Sequence, residues 1–167
     1  MKLNVREICF LSLLGALMYA SKVVMAMLPN IHLIGVFVIA ITVVYGKKAL
    51  YSIYVFVLLC GLLDGFGIWW LAYLYIWLPL WGVTMLLPKD MKPSAKPFVY
   101  SSICMLHGFL FGLMFVPTQA LITGLDLKAL LLWVGAGFYF DLVHGISNFF
   151  LGFAICPIIK VLKEIKK

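Results

Sequence analysis

The chain has little charge. Of its 167 residues only 11% are Asp, Glu, Lys or Arg, and just six are acidic. Soluble domains carry about a quarter charged residues, so a wholly water-exposed chain is excluded. The signatures of several common chemistries are also missing. No Gly-rich Gly-Lys-Ser/Thr loop is present to cradle phosphates, so ATP is not bound by that route. There is no His-Glu-x-x-His, no Cys-x-x-Cys and no Gly-x-Ser-x-Gly, the patterns of zinc peptidases, dithiol sites and nucleophile elbows. Cys9, Cys60, Cys104 and Cys156 lie in or beside apolar runs at no metal-ligand spacing. They read as small core residues rather than a disulfide framework. No row of small polar residues lines a channel path, and no long repeat, low-complexity tract or soluble domain boundary interrupts the chain.

What fills the sequence instead is apolar: 65% of residues are hydrophobic. This composition predicts an all-α integral membrane protein, a single transmembrane domain over residues 1–167. Six spans are expected at about 8–28, 32–45, 49–63, 68–87, 98–117 and 130–159. The net charge of +7 follows this division and not a nucleic-acid surface. Lys2 and Arg6 precede the first span. Lys47 and Lys48 lie between the second and third, and Lys89, Lys92 and Lys96 between the fourth and fifth. Lys160, Lys163, Lys166 and Lys167 end the chain, while the alternate loops hold only Asp64, Asp126 and Lys128. The positive-inside rule then makes both termini cytoplasmic in a multi-pass protein of the cell membrane. The first apolar run has no clear small-x-small cleavage site and is interrupted by Lys22, so it is expected to stay as a span.

The sixth stretch, 130–159, organises the rest. At about 100° per residue, Trp133, Gly137, Asp141, His144 and Asn148 fall on one stripe of a helix. A carboxylate at membrane depth costs at least about 2.5–3.5 kcal/mol, so this stripe should face protein, water or a ligand. Gly137 would allow a close approach to the backbone. The stripe is expected to form one wall of a polar pocket, or else an internal network of helix contacts.

Other residues join this candidate pocket. Span four holds Trp69, Trp70, Tyr73, Tyr75, Trp77 and Trp81. Those near the membrane interfaces are expected in any membrane protein; Tyr73, Tyr75 and Trp77 lie deeper and suit stacking on a flat ring or a cation–π contact. His107 shares a face with Phe111 and Met114 on span five. Lys22 has three uses open to it: snorkelling outward, pairing with Asp64 or Asp141, or meeting an anionic ligand. The turn Leu63-Asp64-Gly65-Phe66-Gly67 is a candidate moving loop, and the loop over 117–128 could form part of a lid. In span one, Ala16-x-x-x-Ala20, beside Gly15, is a small-residue pair that lets another helix come close.

Six spans with both ends inside, under two hundred residues, Ala16-x-x-x-Ala20 in span one and a polar and aromatic pocket weighted to the outer half: this resembles the substrate-binding S component of an energy-coupling factor (ECF) vitamin transporter. The resemblance implies a subunit that captures a vitamin at the outer face and topples in the membrane to deliver it. It implies as partners a transmembrane coupling subunit and two cytoplasmic ATPase subunits, which use the ATP; this chain itself would hold no cofactor and catalyse nothing. It places Gly15, Ala16 and Ala20 against the coupling subunit. It places the vitamin among Trp70, Tyr73, Tyr75, Trp77, His107, Trp133, Tyr139, Asp141, His144 and Asn148, with Asn30 and Asp64 as lid residues and Lys22 as a further candidate contact. Rings and imidazoles around one carboxylate favour a pyridoxine or thiamine-precursor type of heterocycle. An inward Lys22 keeps pantothenate or niacin open, and folate is disfavoured because no deep Arg awaits its glutamate. Two other classes stand beside this reading: a small intramembrane enzyme using Asp141 and His144 as an acid–base pair, and a ligand-free membrane scaffold.

Overall fold

The computed structural model describes residues 3–166; Lys2 and Lys167, counted above among the basic residues, lie outside the described residues. Every regular element is helical: α1 (Val5–Val24), α2 (Ile34–Tyr45), α3 (Ala49–Asp64), α4 (Ile68–Leu86), α5 (Lys96–Phe109), α6 (Phe111–Thr123), α7 (Leu127–Leu151) and α8 (Ile155–Lys166). Short 3-10 turns at Gly46–Lys48 and Gly152–Ala154 join α2 to α3 and α7 to α8. Five helical runs are long and apolar enough to cross a membrane: Val5–Val24, Ile34–Asp64, Ile68–Leu86, Lys96–Thr123 and Leu127–Lys166. The sequence reading divides 32–63 into two spans; here it is one run of 31 residues. Its only departure from helix is near Gly46, whose φ of 57° and ψ of −126° break the ladder.

The core is built around α2. Ten of its twelve residues are buried, because it is apolar on every side and a helix of that kind can only be an interior one. α1, α3, α4, α5, α7 and α8 all contact it. α1 lies along α3, held at three levels. Lys48 pairs with Glu7, Ser52 Oγ donates to the Leu11 carbonyl at 2.8 Å, and Lys22 pairs with Asp64 at 2.7 Å. Residue numbers rise together along these contacts, so the two helices run parallel. Asn4 opens α1 with a reciprocal capping box to Glu7, and Asp126 caps α7 by accepting from the Ala129 N–H; both satisfy orphan donors of a first turn.

The tightest packing is between α5 and α7. A Cβ at Gly145 would sit 2.0 Å from the Phe109 ring, one at Gly108 would sit 2.8 Å from the Gly145 Cα, and one at Gly152 would sit 2.6 Å from the Ser101 Cα. Three glycines thus let two backbones touch, as small residues do between membrane helices. Gly137 has no such neighbour within 4 Å, so the close approach expected there occurs two turns later, at Gly145.

Several expected boundaries shift. α1 ends at Val24 and not at residue 28. α6 continues through Pro117 to Thr123, which reduces the expected outer loop of 117–128 to a short link around Gly124. The span expected at 130–159 begins at Leu127, breaks at Gly152–Ala154 and continues as α8.

Gly145→Val should lower the thermal stability of the detergent-purified protein by roughly 1–3 kcal/mol through overpacking. Gly137→Ala should leave it unchanged or raise it by up to about 1 kcal/mol through helix propensity. Equal effects would show that the α5–α7 contact is looser than described.

Candidate functional site

Three histidines from three parts of the chain meet inside the bundle. His32 lies just before α2, His107 on the last turn of α5, and His144 on α7. The close α5–α7 approach brings the second and third towards each other, and the break at Pro29-Asn30 turns the first inward. The His32 and His144 ring centroids are 4.6 Å apart. Trp77 of α4 stacks on His107 at 5.4 Å. Phe111 stands between them: its centroid is 4.7 Å from His144, 5.7 Å from Trp77, 6.0 Å from His107 and 6.4 Å from His32.

The polar atoms of this cluster are largely unmatched. His107 Nε2 meets the Ile76 carbonyl at 2.9 Å, and Asn148 Nδ2 donates to the Cys104 carbonyl at 3.2 Å. Yet His32 Nδ1, Trp77 Nε1, His107 Nδ1, both nitrogens of His144 and Asn148 Oδ1 are buried with no hydrogen-bond partner. Native interiors satisfy nearly all such atoms, and each unmet one costs about 1–3 kcal/mol. Six such atoms fall in this cluster. Trp77 can only donate, Asn148 Oδ1 can only accept, and the imidazoles can do either.

Two clefts lead towards the cluster, on either side of the Lys22–Asp64 ion pair. One, of about 390 Å³, is lined by Tyr19, Lys22, Asn30 and Asp64 and reaches His32. The other, of about 430 Å³, is lined by Lys22, Asp64, Trp69, Tyr73 and Phe115. Tyr73 and Phe115 both flank the Phe111 ring. Tyr19 also donates to Asp64 Oδ1 at 2.9 Å, and Asn30 holds a positive φ of 59° at the chain's turn into α2. Of the three uses open to Lys22, pairing with Asp64 is the one found.

Asp141 takes a different place from the one expected. Its Oδ1 accepts from the Gly112 N–H at 2.9 Å, one residue after α6 begins beyond the break at Leu110. A Cβ on Gly112 would come 2.4 Å from Asp141 Oδ2, so only glycine fits beneath this carboxylate. Asp141 therefore clamps the α5–α6 junction and shares no hydrogen bond with His144.

The remaining predicted residues divide cleanly. Tyr73, Trp77, His107, His144 and Asn148 join the cluster, and Asn30, Asp64 and Lys22 stand at its mouth. Tyr75 instead bridges α4 to α6, its hydroxyl donating to the Met114 carbonyl at 2.7 Å. Trp70 donates to the Val57 carbonyl at 2.8 Å and packs on Phe66, holding α4 against α3. Trp133 and Tyr139 are exposed, Tyr139 by 68%; neither reaches the cluster. Ala16 and Ala20 face outward with Leu13 and Leu17. Gly15, grouped with them in the sequence, is buried against α3, 2.7 Å being all that a Cβ would have to the Ser52 carbonyl; it cannot be part of an outward docking face. His32 and Phe111 belong to the site although neither was singled out for it. His32 has a signal of its own, as a histidine placed directly after a Pro-Asn break and before the most apolar helix.

Compared with protein-family models, curated proteins and solved structures, the chain matches none.

Replacing His144 by Leu removes two unmet nitrogens and keeps the volume, so the empty protein should gain roughly 1–3 kcal/mol, read as a higher unfolding temperature in detergent. A loss of stability would mean that these nitrogens are satisfied.

Proposed function

We propose that the chain is the solute-capturing subunit of an ECF-type importer. It takes a flat heterocycle at the Lys22 end and binds it among His32, Trp77, His107, His144 and Asn148. The observation that carries this is the convergence of six buried, unpartnered polar atoms beneath two open clefts. No lysine, arginine or free carboxylate stands among them, so a charge on the deep end of the solute would have no counter-ion. The ring is therefore uncharged and carries both donors and acceptors, as pyridoxine and the pyrimidine precursor of thiamine do. A carboxylate on the solute, as in niacin or pantothenate, would fall at Lys22.

Phe111 occupies the position of that ring. Capture then swings it aside about the α5–α6 break, where Leu110 interrupts the helix and Asp141 holds Gly112. Coupling belongs to partner subunits, which hydrolyse ATP; Ala16 and Ala20, on the outward face of α1, are the proposed docking contact. In this reading the chain crosses the cell membrane six times with both termini cytoplasmic. The parallel course of α1 and α3 supports it, since α2 must return between them, and so does the bend at Gly46. At 12 residues α2 spans only about 18 Å of a core near 30 Å thick, which an interior helix tolerates because it never meets lipid. The acid–base enzyme reading draws no support from Asp141 and His144, which share no hydrogen bond: Asp141 is bonded to Gly112 and both His144 nitrogens are unpartnered.

The test is binding of pyridoxine, the thiamine pyrimidine precursor, niacin and pantothenate to purified protein, followed by tryptophan fluorescence and calorimetry. At least one should bind, and His144→Leu should weaken it roughly 10- to 100-fold, whereas Phe111→Ala should tighten it by removing the competing ring. Absence of binding across the panel and a set of related neutral heterocycles would overturn the proposal. Separately, Ala16→Trp or Ala20→Trp should abolish uptake and co-purification with ATPase subunits while ligand affinity stays within about twofold; normal uptake by both variants would remove α1 as the docking face.

A further inference from the structure

At the end of the bundle opposite Lys22, a cleft of about 490 Å³ opens between α2, the segment after α4, the start of α5 and α8. Three lysines from three separate elements line it: Lys89 after α4, Lys96 at the first position of α5, and Lys163 on α8. Thr42, Thr84 and Tyr100 add hydroxyl-bearing side chains, and Val43, Val44, Met85, Leu87 and Pro88 make an apolar lining. No acidic residue lines it.

Two of the other cations at this end are engaged, whereas Lys47, Lys92 and Lys160 are, among the described residues, as unpaired as the cleft lysines but do not line the hollow. Lys48 pairs with Glu7, and Lys166 donates to the Val44 carbonyl at 2.6 Å while standing over the Tyr45 ring. Lys89, Lys96 and Lys163 have neither a hydrogen bond nor an ion pair among the described residues. Collecting three unpaired like charges around one hollow is unfavourable unless an anion sits there. Scattered lysines would serve the topology rule equally well, so that rule alone does not explain their convergence.

We propose that this cleft is a binding site for a phosphate group, and that its source is the headgroup of an anionic phospholipid. The phosphate lies among the three ammonium groups. The lipid source follows from the apolar lining and from Leu86, which lies in sequence between the lining residues Met85 and Leu87 and is 85% exposed, an apolar surface beside the cleft that an acyl chain would cover. A soluble phosphate has no use for that surface. Basic pockets between membrane helices recognise headgroups through this combination of charge and apolar wall.

The experiment compares the whole protein with two triple variants of identical charge change. Lys89→Gln/Lys96→Gln/Lys163→Gln empties the cleft of cations; Lys47→Gln/Lys92→Gln/Lys160→Gln removes three others from the same end. Each is titrated with phosphatidylglycerol, phosphatidylcholine and inorganic phosphate, read by thermal unfolding in detergent and by lipid retained in native mass spectrometry. The wild type and the control variant should bind phosphatidylglycerol with similar affinity. The cleft variant should lose about tenfold or more, and its binding should cease to depend on salt. Protection by inorganic phosphate equal to that by phosphatidylglycerol would overturn the lipid as the source while keeping the phosphate site. Equal loss in both triple variants, or equal retention of phosphatidylcholine, would overturn the site itself.

Discussion

A polar atom sealed away from water must be matched inside the protein, and this fold leaves six of them unmatched around one partly buried phenylalanine. The surrounding structure makes that possible. α2 is apolar on all sides and fills the centre without contributing a polar side chain near His144 apart from His32 at its approach. Gly108 and Gly145 bring α5 and α7 into backbone contact, which fixes the spacing of His107, His144 and Asn148. Trp77, packed on Phe56 and stacked on His107, closes the fourth side. Remove the glycine contact and the histidines separate; fill α2 with hydrogen-bonding groups and the unmatched atoms would be quenched.

Charge in this molecule is sorted by depth. At one end Lys22, Asp64 and Tyr19 form a small network between two clefts. At the other lie most of the lysines. Between them the one carboxylate of α7, Asp141, is spent on a backbone N–H and stands apart from the imidazoles. A fold that kept Asp141 beside His144 would attract cations to its interior and would need a second partner for the carboxylate. By holding Gly112 at the α5–α6 break, Asp141 instead stabilises the segment that carries Phe111. The same residue that looks in sequence like the heart of a binding site is here the support of a helix break.

Much of this was legible in the sequence and some was not, for physical reasons. The helical period correctly turns Asp141, His144 and Asn148 towards neighbouring helices, Asp141 against Gly112 of α6 and Asn148 against Cys104 of α5. It fails for Trp133 and Gly137, on the same stripe, because a period says which residues share a face and not how far a neighbour extends along it. The aromatic-rich α4 was visible as a cluster, but only Tyr73 and Trp77 reach the site; Trp70 and Tyr75 bond carbonyls of α3 and α6, and which carbonyl lies within reach is a matter of tertiary packing. Ala16-x-x-x-Ala20 and Gly15 differ by one position, which is about 100° of rotation, enough to send the alanines outward and the glycine into α3. His32 was placed next to a turn by its Pro-Asn neighbour, yet its approach to His144, 112 positions away in the chain, depends on how α2 and α7 pack together. The 31-residue run from Ile34 contains a break at a single glycine, Gly46, where a short 3-10 turn joins α2 to α3.

The presence of Phe111 bears on what the site selects. Its ring gains only part of the ~1.5–3 kcal/mol that full burial would give, and it leaves every polar atom around it unmatched. A plain hydrocarbon ring entering in its place would exchange one apolar contact for another, with little net gain. A ring bearing a donor and an acceptor on its edge would match Trp77 Nε1, Asn148 Oδ1 or an imidazole nitrogen, each worth about 1–3 kcal/mol when left bare. Under the proposed function the phenylalanine would act as a reference competitor, setting a threshold that apolar solutes from the surrounding lipid would not exceed and that polar-edged heterocycles would. The proposed capture role would require such a threshold, because in a membrane an apolar competitor is always present at high concentration.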